Sequence, residues 1–168
     1  MTRDEKQKDE KQKWEGLVVN IFITPEAGAP MQAVEAARAA PGQGLEGDRY
    51  FEAHGSFSRW PGPHRDVTLI AEEALAEMAR ETGTTLPAEA SRRNVLVRGV
   101  PLNDLIKQRF SVGEVVMEGI RLCQPCKYLA RIAGEPGVLP GLVNRGGLRA
   151  RILDEGLIRV GDTVRPAL

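Results

Sequence analysis

A mainly β fold with a few helices (α+β), arranged as a barrel or sandwich, is what the sequence predicts. The first observation is the series NVLVRGV, RFSVGEVVMEGIRL, LRARIL and LIRVGDTVRP in the second half of the chain. These runs are short, rich in Val, Ile and Leu, and separated by Gly, Asn or Asp, the punctuation of many short strands rather than of a parallel α/β sheet. The second is GLVVNIFI from Gly16, another apolar run of strand length that stops at Thr24-Pro25. The third is that only AEEALAEMARETG carries a firm helical period.

Taken in order, residues 1–14 mix both charge signs with almost no apolar residue and read as a solvated, disordered tail. The domain is expected over 15–168, with GLVVNIFI as its first strand. MQAVEAARAA has helical propensity but no clear apolar stripe, and its state stays open. Residues 41–66, rich in Gly, Pro and charge, form a long loop with Phe57 and Trp60 as aromatic anchors. A loop of that length in a compact domain is functional or disordered. DVTLIA reads as a strand. The helix after it places Ala71, Leu75 and Met78 or Ala79 on one face, with Gly83 as its stop. FSVGEVV and IRVGDTV look alike, each a Val-Gly-acid turn, and read as two strand starts of one barrel.

Composition narrows the function. The chain has 168 residues, enough to bury a core without disulfides or a structural metal. Lys plus Arg and Asp plus Glu both total 23, which gives no support to a nucleic-acid or other polyanion partner. No stretch is apolar enough to span a bilayer, and the N-terminus lacks the apolar region of a signal peptide. A cytoplasmic protein with reduced thiols is the expectation.

The two cysteines lie in RLCQPCKYLA, as Cys123 and Cys126. Zinc would need four ligands, and the two histidines, His54 and His64, lie far upstream. A dithiol redox pair fits the spacing but normally sits in a βαβ context. Pro125 suits the first turn of a helix through CKYLARIA, which would put Cys126 where free amides and the helix dipole stabilise a thiolate. Cys123, following Ile120 and Leu122, reads as partly buried and inert. The competing reading is that both are small core hydrophobes.

Three basic clusters accompany them. Arg92, Arg93 and Asn94 precede a strand and could hold an oxyanion, although paired arginines more often face solvent. In NRGGLRAR, Arg145, Arg149 and Arg151 surround Gly146 and Gly147, a pair that permits close backbone approach to a ligand or simply makes a tight turn. In GLEGDRYF, Asp48 and Arg49 follow Gly44 and Gly47, and an ion pair or turn cap is the plainer interpretation. No Ser-His-Asp set, paired catalytic carboxylates, P-loop or dinucleotide fingerprint occurs.

The ordered set GLEGDRYF, VTLIAEEAL, RRNVLVRGVPLNDL, RFSVGEVVMEGIRLCQPCKYL, LVNRGGLRARIL and IRVGDTV resembles the MOSC family, the molybdenum cofactor sulfurase C-terminal domain, over residues 16–166. The resemblance implies a closed MOSC-type β-barrel, with MQAVEAARAA extended against its propensity. Cys126 matches the family's characteristic cysteine, which in amidoxime-reducing relatives ligates molybdenum and in sulfurase relatives is proposed to carry sulfur. Arg92 and Asn94 match residues of the pterin and phosphate pocket. Arg93 stands where some relatives have proline, which leaves its role open. Asp48 and Arg49 match the GDR motif, and Arg145, Gly146 and Gly147 match the RGG turn.

Two functions follow as expectations from the resemblance. One is a reductase of N-hydroxylated compounds that binds molybdenum cofactor (molybdopterin), with Cys126 as metal ligand and electrons from a donor protein. The other is a sulfur carrier, with a persulfide on Cys126 supplied by a cysteine desulfurase and Cys123 able to resolve it. No other organic cofactor, no nucleic acid and no membrane is expected. The amidoxime-reducing relatives complete their pocket with an additional N-terminal barrel that has no counterpart here, so a more open site is expected.

Overall fold

The computed structural model describes residues 2–5, 13–51, 66–125, 129, 131, 134 and 137–167. Strand β1 (Gly16–Ile23) coincides with the first apolar run. It is followed by β2 (Gln32–Val34), β3 (Ala36–Ala40) and β4 (Gly44–Leu45), then β5 (Val67–Ala71), helix α1 (Glu72–Thr82) and β6 (Val95–Arg98). The chain continues through β7 (Arg109–Val112), β8 (Val115–Leu122), the short helix α2 (Val138–Gly141), β9 (Leu148–Ile152), β10 (Gly156–Arg159) and β11 (Thr163–Pro166).

Seven strands close a barrel in the order β1, β11, β7, β8, β9, β5, β6 and back to β1, with β2 paired to the outside of β1. The seam pairs the two ends of the domain, Gly16 with Val164 and Leu17 with Thr163. Among the strands described, β5 and β6 are the one parallel pair, as their connection through α1 requires. A smaller sheet, β10-β3-β4, joins the same core through Ala37, Ala39, Leu45 and Ile158.

The barrel interior follows from alternation. Val67 and Leu69 of β5, Val95 and Val97 of β6, Met117 of β8, and Leu148, Ala150 and Ile152 of β9 all enter one apolar cluster. The residues between them face outward. Ile70, Leu96 and Phe22 form a second cluster outside the barrel, against which Leu75 of α1 packs. Trp14, assigned above to the tail, also packs against the barrel core.

MQAVEAARAA is extended. Small alanines at alternate positions of β3 bury Ala37 and Ala39 between β10 and β4, and this tertiary pairing overrides alanine's helical preference. Helix α1 stops at Gly83, whose left-handed conformation (φ 72°) lets its N–H donate to the Ala79 carbonyl at 3.0 Å. Its buried face carries the predicted Met78 and Leu75, with Ala71 packed on the barrel core at the start, and it also takes in Ala74, which is not among the predicted positions. The two Val-Gly-acid turns abut, since Gly113 N–H donates to Thr163 O at 2.9 Å. They are not equivalent, however. FSVGEVV is a barrel hairpin, whereas IRVGDTV passes from the small sheet (β10) into the barrel (β11).

Asp66 ties this architecture together at the start of β5. One carboxylate oxygen accepts from Gly42 N–H at 3.2 Å and from Ile152 N–H at 2.9 Å. Burial pushes the Asp66 carboxyl above the ordinary aspartate value, opposed by the two amide bonds and by Arg151. The native state then binds the proton more readily than the unfolded chain does, so ionisation costs stability at neutral pH and the cost is relieved as pH falls through the folded value. Asp66→Asn keeps an oxygen for both amides. Urea midpoints taken from neutral pH downward should show a flatter pH dependence in this variant than in the wild-type chain, and superimposable profiles would remove the carboxyl from this role.

Candidate functional site

The outward-facing residues one step along from the α1 contact form a polar row across the strands. Thr68 on β5 lies opposite Arg149 on β9, and Arg149 lies opposite Arg121 on β8. On the other side, Asn94, just before β6, meets Thr68. Its Oδ1 accepts from the Thr68 N–H and hydroxyl, each at 3.2 Å, while its Nδ2 donates to Phe22 O on β1, also at 3.2 Å. Asn94 is 3% exposed and thus clamps three strands.

Beyond Asn94 the row reaches a cluster of buried charges. Asp48 accepts from Thr24 N–H and from Arg49 Nη1, both at 3.1 Å. Arg49 is 7% exposed, contacts Met31 sulfur at 3.4 Å, lies 4.6 Å over the Tyr50 ring, and donates to Arg92 O at 3.5 Å. Arg92, also 7% exposed, donates from Nη1 to Ala29 O. Its backbone is left-handed at φ 66°, strained for a residue with a side chain, because it terminates the 3-10 turn Ala88–Ser91. Such strain clusters at ligand sites because the surrounding contacts hold the residue in place.

Arg93 links this cluster to the cysteine-bearing strand end. Its Nε donates to Gly146 O at 2.9 Å, and Gly147 O accepts from Cys123 N–H at 2.7 Å. Both glycines are sterically required: a Cβ on Gly146 would lie 2.2 Å from Cys123 O, and one on Gly147 would lie 2.1 Å from Leu69 O. Gln124 exchanges two 2.9 Å hydrogen bonds with Asn144, binding the same strand end to the same turn.

The sequence-derived candidates therefore fall in three places. Asp48, Arg49, Arg92 and Asn94 come together, and Gly146 and Gly147 join them through Arg93. Arg145 turns away to helix α1, bonded to Gly141 O and paired with Glu77 at 3.3 Å and Glu81 at 2.6 Å. Cys126, the predicted helix around it, and His54, Phe57, Trp60 and His64 of the long loop lie outside the described residues, apart from isolated positions such as Leu129. Cys123 is buried with a free thiol, as its apolar context predicts. Thr24 and Thr68 were not legible as site residues, since nothing but strand register connects them to the motifs.

A cleft of about 190 Å³ is lined by Ala74, Val100, Leu102, Asp104, Arg145 and Gly147; it includes none of Asp48, Arg49, Arg92 and Asn94. Among the described residues, no group of three His, Cys, Asp or Glu side chains could hold a metal ion.

The model of the MOSC domain matches residues 57–165. The chain belongs to the MOSC family. This MOSC domain has the fold of YuaD from Bacillus subtilis, with a TM-score of 0.74 at 16% identity, covering 93% of this chain and 100% of that one. YiiM from Geobacillus stearothermophilus gives a TM-score of 0.68 at 16% identity, covering 91% of this chain and 75% of its own. YiiM from Escherichia coli gives 0.66 at 18% identity, covering 90% and 70% respectively. No curated protein sequence matches the MOSC domain described here. No helix among the described residues is long and apolar enough to cross a membrane.

Proposed function

We propose that the polar row and the arginine cluster bind molybdenum cofactor, with the Cys126 thiolate as the protein's metal ligand, and that the protein reduces N-hydroxylated compounds. The observation carrying this reading is the burial of Arg49, Arg92 and Arg93 with Asp48 and Asn94: Arg49 bonds Asp48 and the Arg92 carbonyl, and Arg93 and Asn94 follow Arg92 directly in the chain, anchored to Gly146, Thr68 and Phe22. Pre-positioned guanidiniums suit a phosphate-bearing ligand, because their ordering cost is met in folding rather than in binding. A soft thiolate such as that of Cys126 suits molybdenum as a protein ligand.

When bound, the cofactor supplies two-electron redox chemistry at a thiolate-ligated metal. The chain's part is to anchor and orient. Arg92 and Arg49 hold the anionic end, and Asp48 fixes Arg49. Asn94 and Thr68 fix the strand edges beneath. Arg93, through Gly146, holds the turn against which the strand leading to Cys126 is docked. An electron-donor protein completes the reaction.

Protein produced with an intact cofactor supply and then desalted should retain molybdenum and pterin in equal amounts, close to one per chain. Absence of both, with a cyanolysable sulfur on Cys126 after treatment with a cysteine desulfurase, would replace this reading with the sulfur carrier. That alternative gains little from Cys123 as a resolving thiol, since Cys123 is 1% exposed.

A further inference from the structure

We propose that Arg121 and Arg149 form an oxyanion subsite on the outer face of β8 and β9, which takes a doubly charged tetrahedral anion of the phosphate class. The two residues are direct cross-strand partners, flanked by the pairs Leu122 with Leu148 and Gly119 with Ala150. Leu148 and Ala150 point into the barrel, so alternation sends Arg149 outward, and the register irregularity between Gly119 and Arg121 puts the exposed Arg121 opposite it on the same face. Directly opposed side chains have Cβ atoms only about 5 Å apart, and like charges so placed are destabilising.

The acid that could relieve them is committed elsewhere. Glu118 stands opposite Arg151, 3.1 Å from its Nε, with Arg109 approaching from the other side at 3.9 Å. Among the described residues, neither the Arg121 nor the Arg149 guanidinium has a hydrogen-bond or ion-pair partner. An external dianion balances both charges and accepts from both forks at once, the geometry in which arginine binds phosphate best.

The subsite continues the polar row. Arg121, Arg149, Thr68 and Asn94 stand on or beside four successive strands, so at ordinary strand spacing Arg149 lies about 10 Å and Arg121 about 14 Å from Asn94. One extended ligand could span both ends, or a free anion could occupy this end alone. The subsite does not depend on the molybdenum reading, because its test needs neither metal nor pterin.

Titration calorimetry of the purified chain with inorganic phosphate at low ionic strength should show one saturable site. Arg121→Gln and Arg149→Gln should each weaken it by about tenfold or more, while Arg109→Gln on the neighbouring ladder leaves it within about twofold. Both site variants should melt no lower than the wild-type chain, since each removes a like-charge contact. Phenyl phosphate as a second probe distinguishes the sources: tighter binding than inorganic phosphate favours a ligand-borne group, and equal binding favours the free anion. Either result presupposes the site. A phosphate site that survives both substitutions, an equal loss in Arg109→Gln, or no saturable binding would overturn the proposal.

Discussion

Gly147→Ala is expected to cost about 4 kcal/mol or more, enough to leave a domain of this size largely unfolded. Gly147 sits at φ 110°, where a side chain is strained, and an added Cβ would lie 2.1 Å from Leu69 O, 3.1 Å from Leu69 C and 3.4 Å from Ile70 Cα. None of these atoms can yield, because Leu69 and Ile70 are paired with β6 on one side and Leu69 with β9 on the other. Gly83→Ala provides the contrast. It shares a left-handed backbone, φ 72°, but a Cβ there meets nothing within 4 Å. Its cost should be only about 1–2 kcal/mol, that of the backbone conformation alone. Urea denaturation of the two variants separates steric from conformational cost, and equal losses would mean the close approach at Gly147 is not real.

Asn94→Ala should destabilise by about 2–4 kcal/mol, because several strand groups lose their partner at once in a buried place. Thr68 N–H and hydroxyl lose the Oδ1 acceptor and Phe22 O loses a donor. Asn94→Asp sharpens the test. It keeps the acceptors but places a carboxylate in a position 3% exposed and facing the Phe22 carbonyl, so burial should raise its pKa. Stability of this variant should therefore improve as pH falls through that raised value, whereas Asn94→Ala shows no such recovery. Matching pH profiles for the two variants would contradict a clamp that binds β1, β5 and β6.

These residues also mark how far the sequence could be read. Strands with alternating apolar residues, such as Leu148-Arg149-Ala150-Arg151-Ile152, declared both their type and their inward face, because a period of two needs no knowledge of partners. Barrel closure did not: the Gly16 to Val164 seam joins distant segments with no local mark. β3 was open to misreading as helix because alanine is chosen there for small volume, not for propensity. On α1, the period gave Leu75 and Met78 correctly, but the width of the buried face depends on the surfaces it packs against, which bring in Ala74 as well.

The same division holds for the site. Arg92 and Asn94 were legible as residues able to hold an oxyanion and Asp48 with Arg49 as an ion pair, and the fold sets that pair against the Arg92 carbonyl. Arg145 had equal promise on paper, but Glu77 and Glu81 on α1 claim it. Arg93, in doubt from the sequence, proves to connect the cluster to Gly146. Arg121 and Arg149 carry no motif linking them, and only the β8 to β9 register sets them face to face.

The most direct measurement is the molybdenum content of Cys126→Ala beside Cys123→Ala, each produced with an intact cofactor supply and checked for folding by its melting temperature. Stoichiometric metal in Cys123→Ala with its loss in Cys126→Ala is the expected result. Metal retained at wild-type level by a folded Cys126→Ala would contradict Cys126 as the ligand.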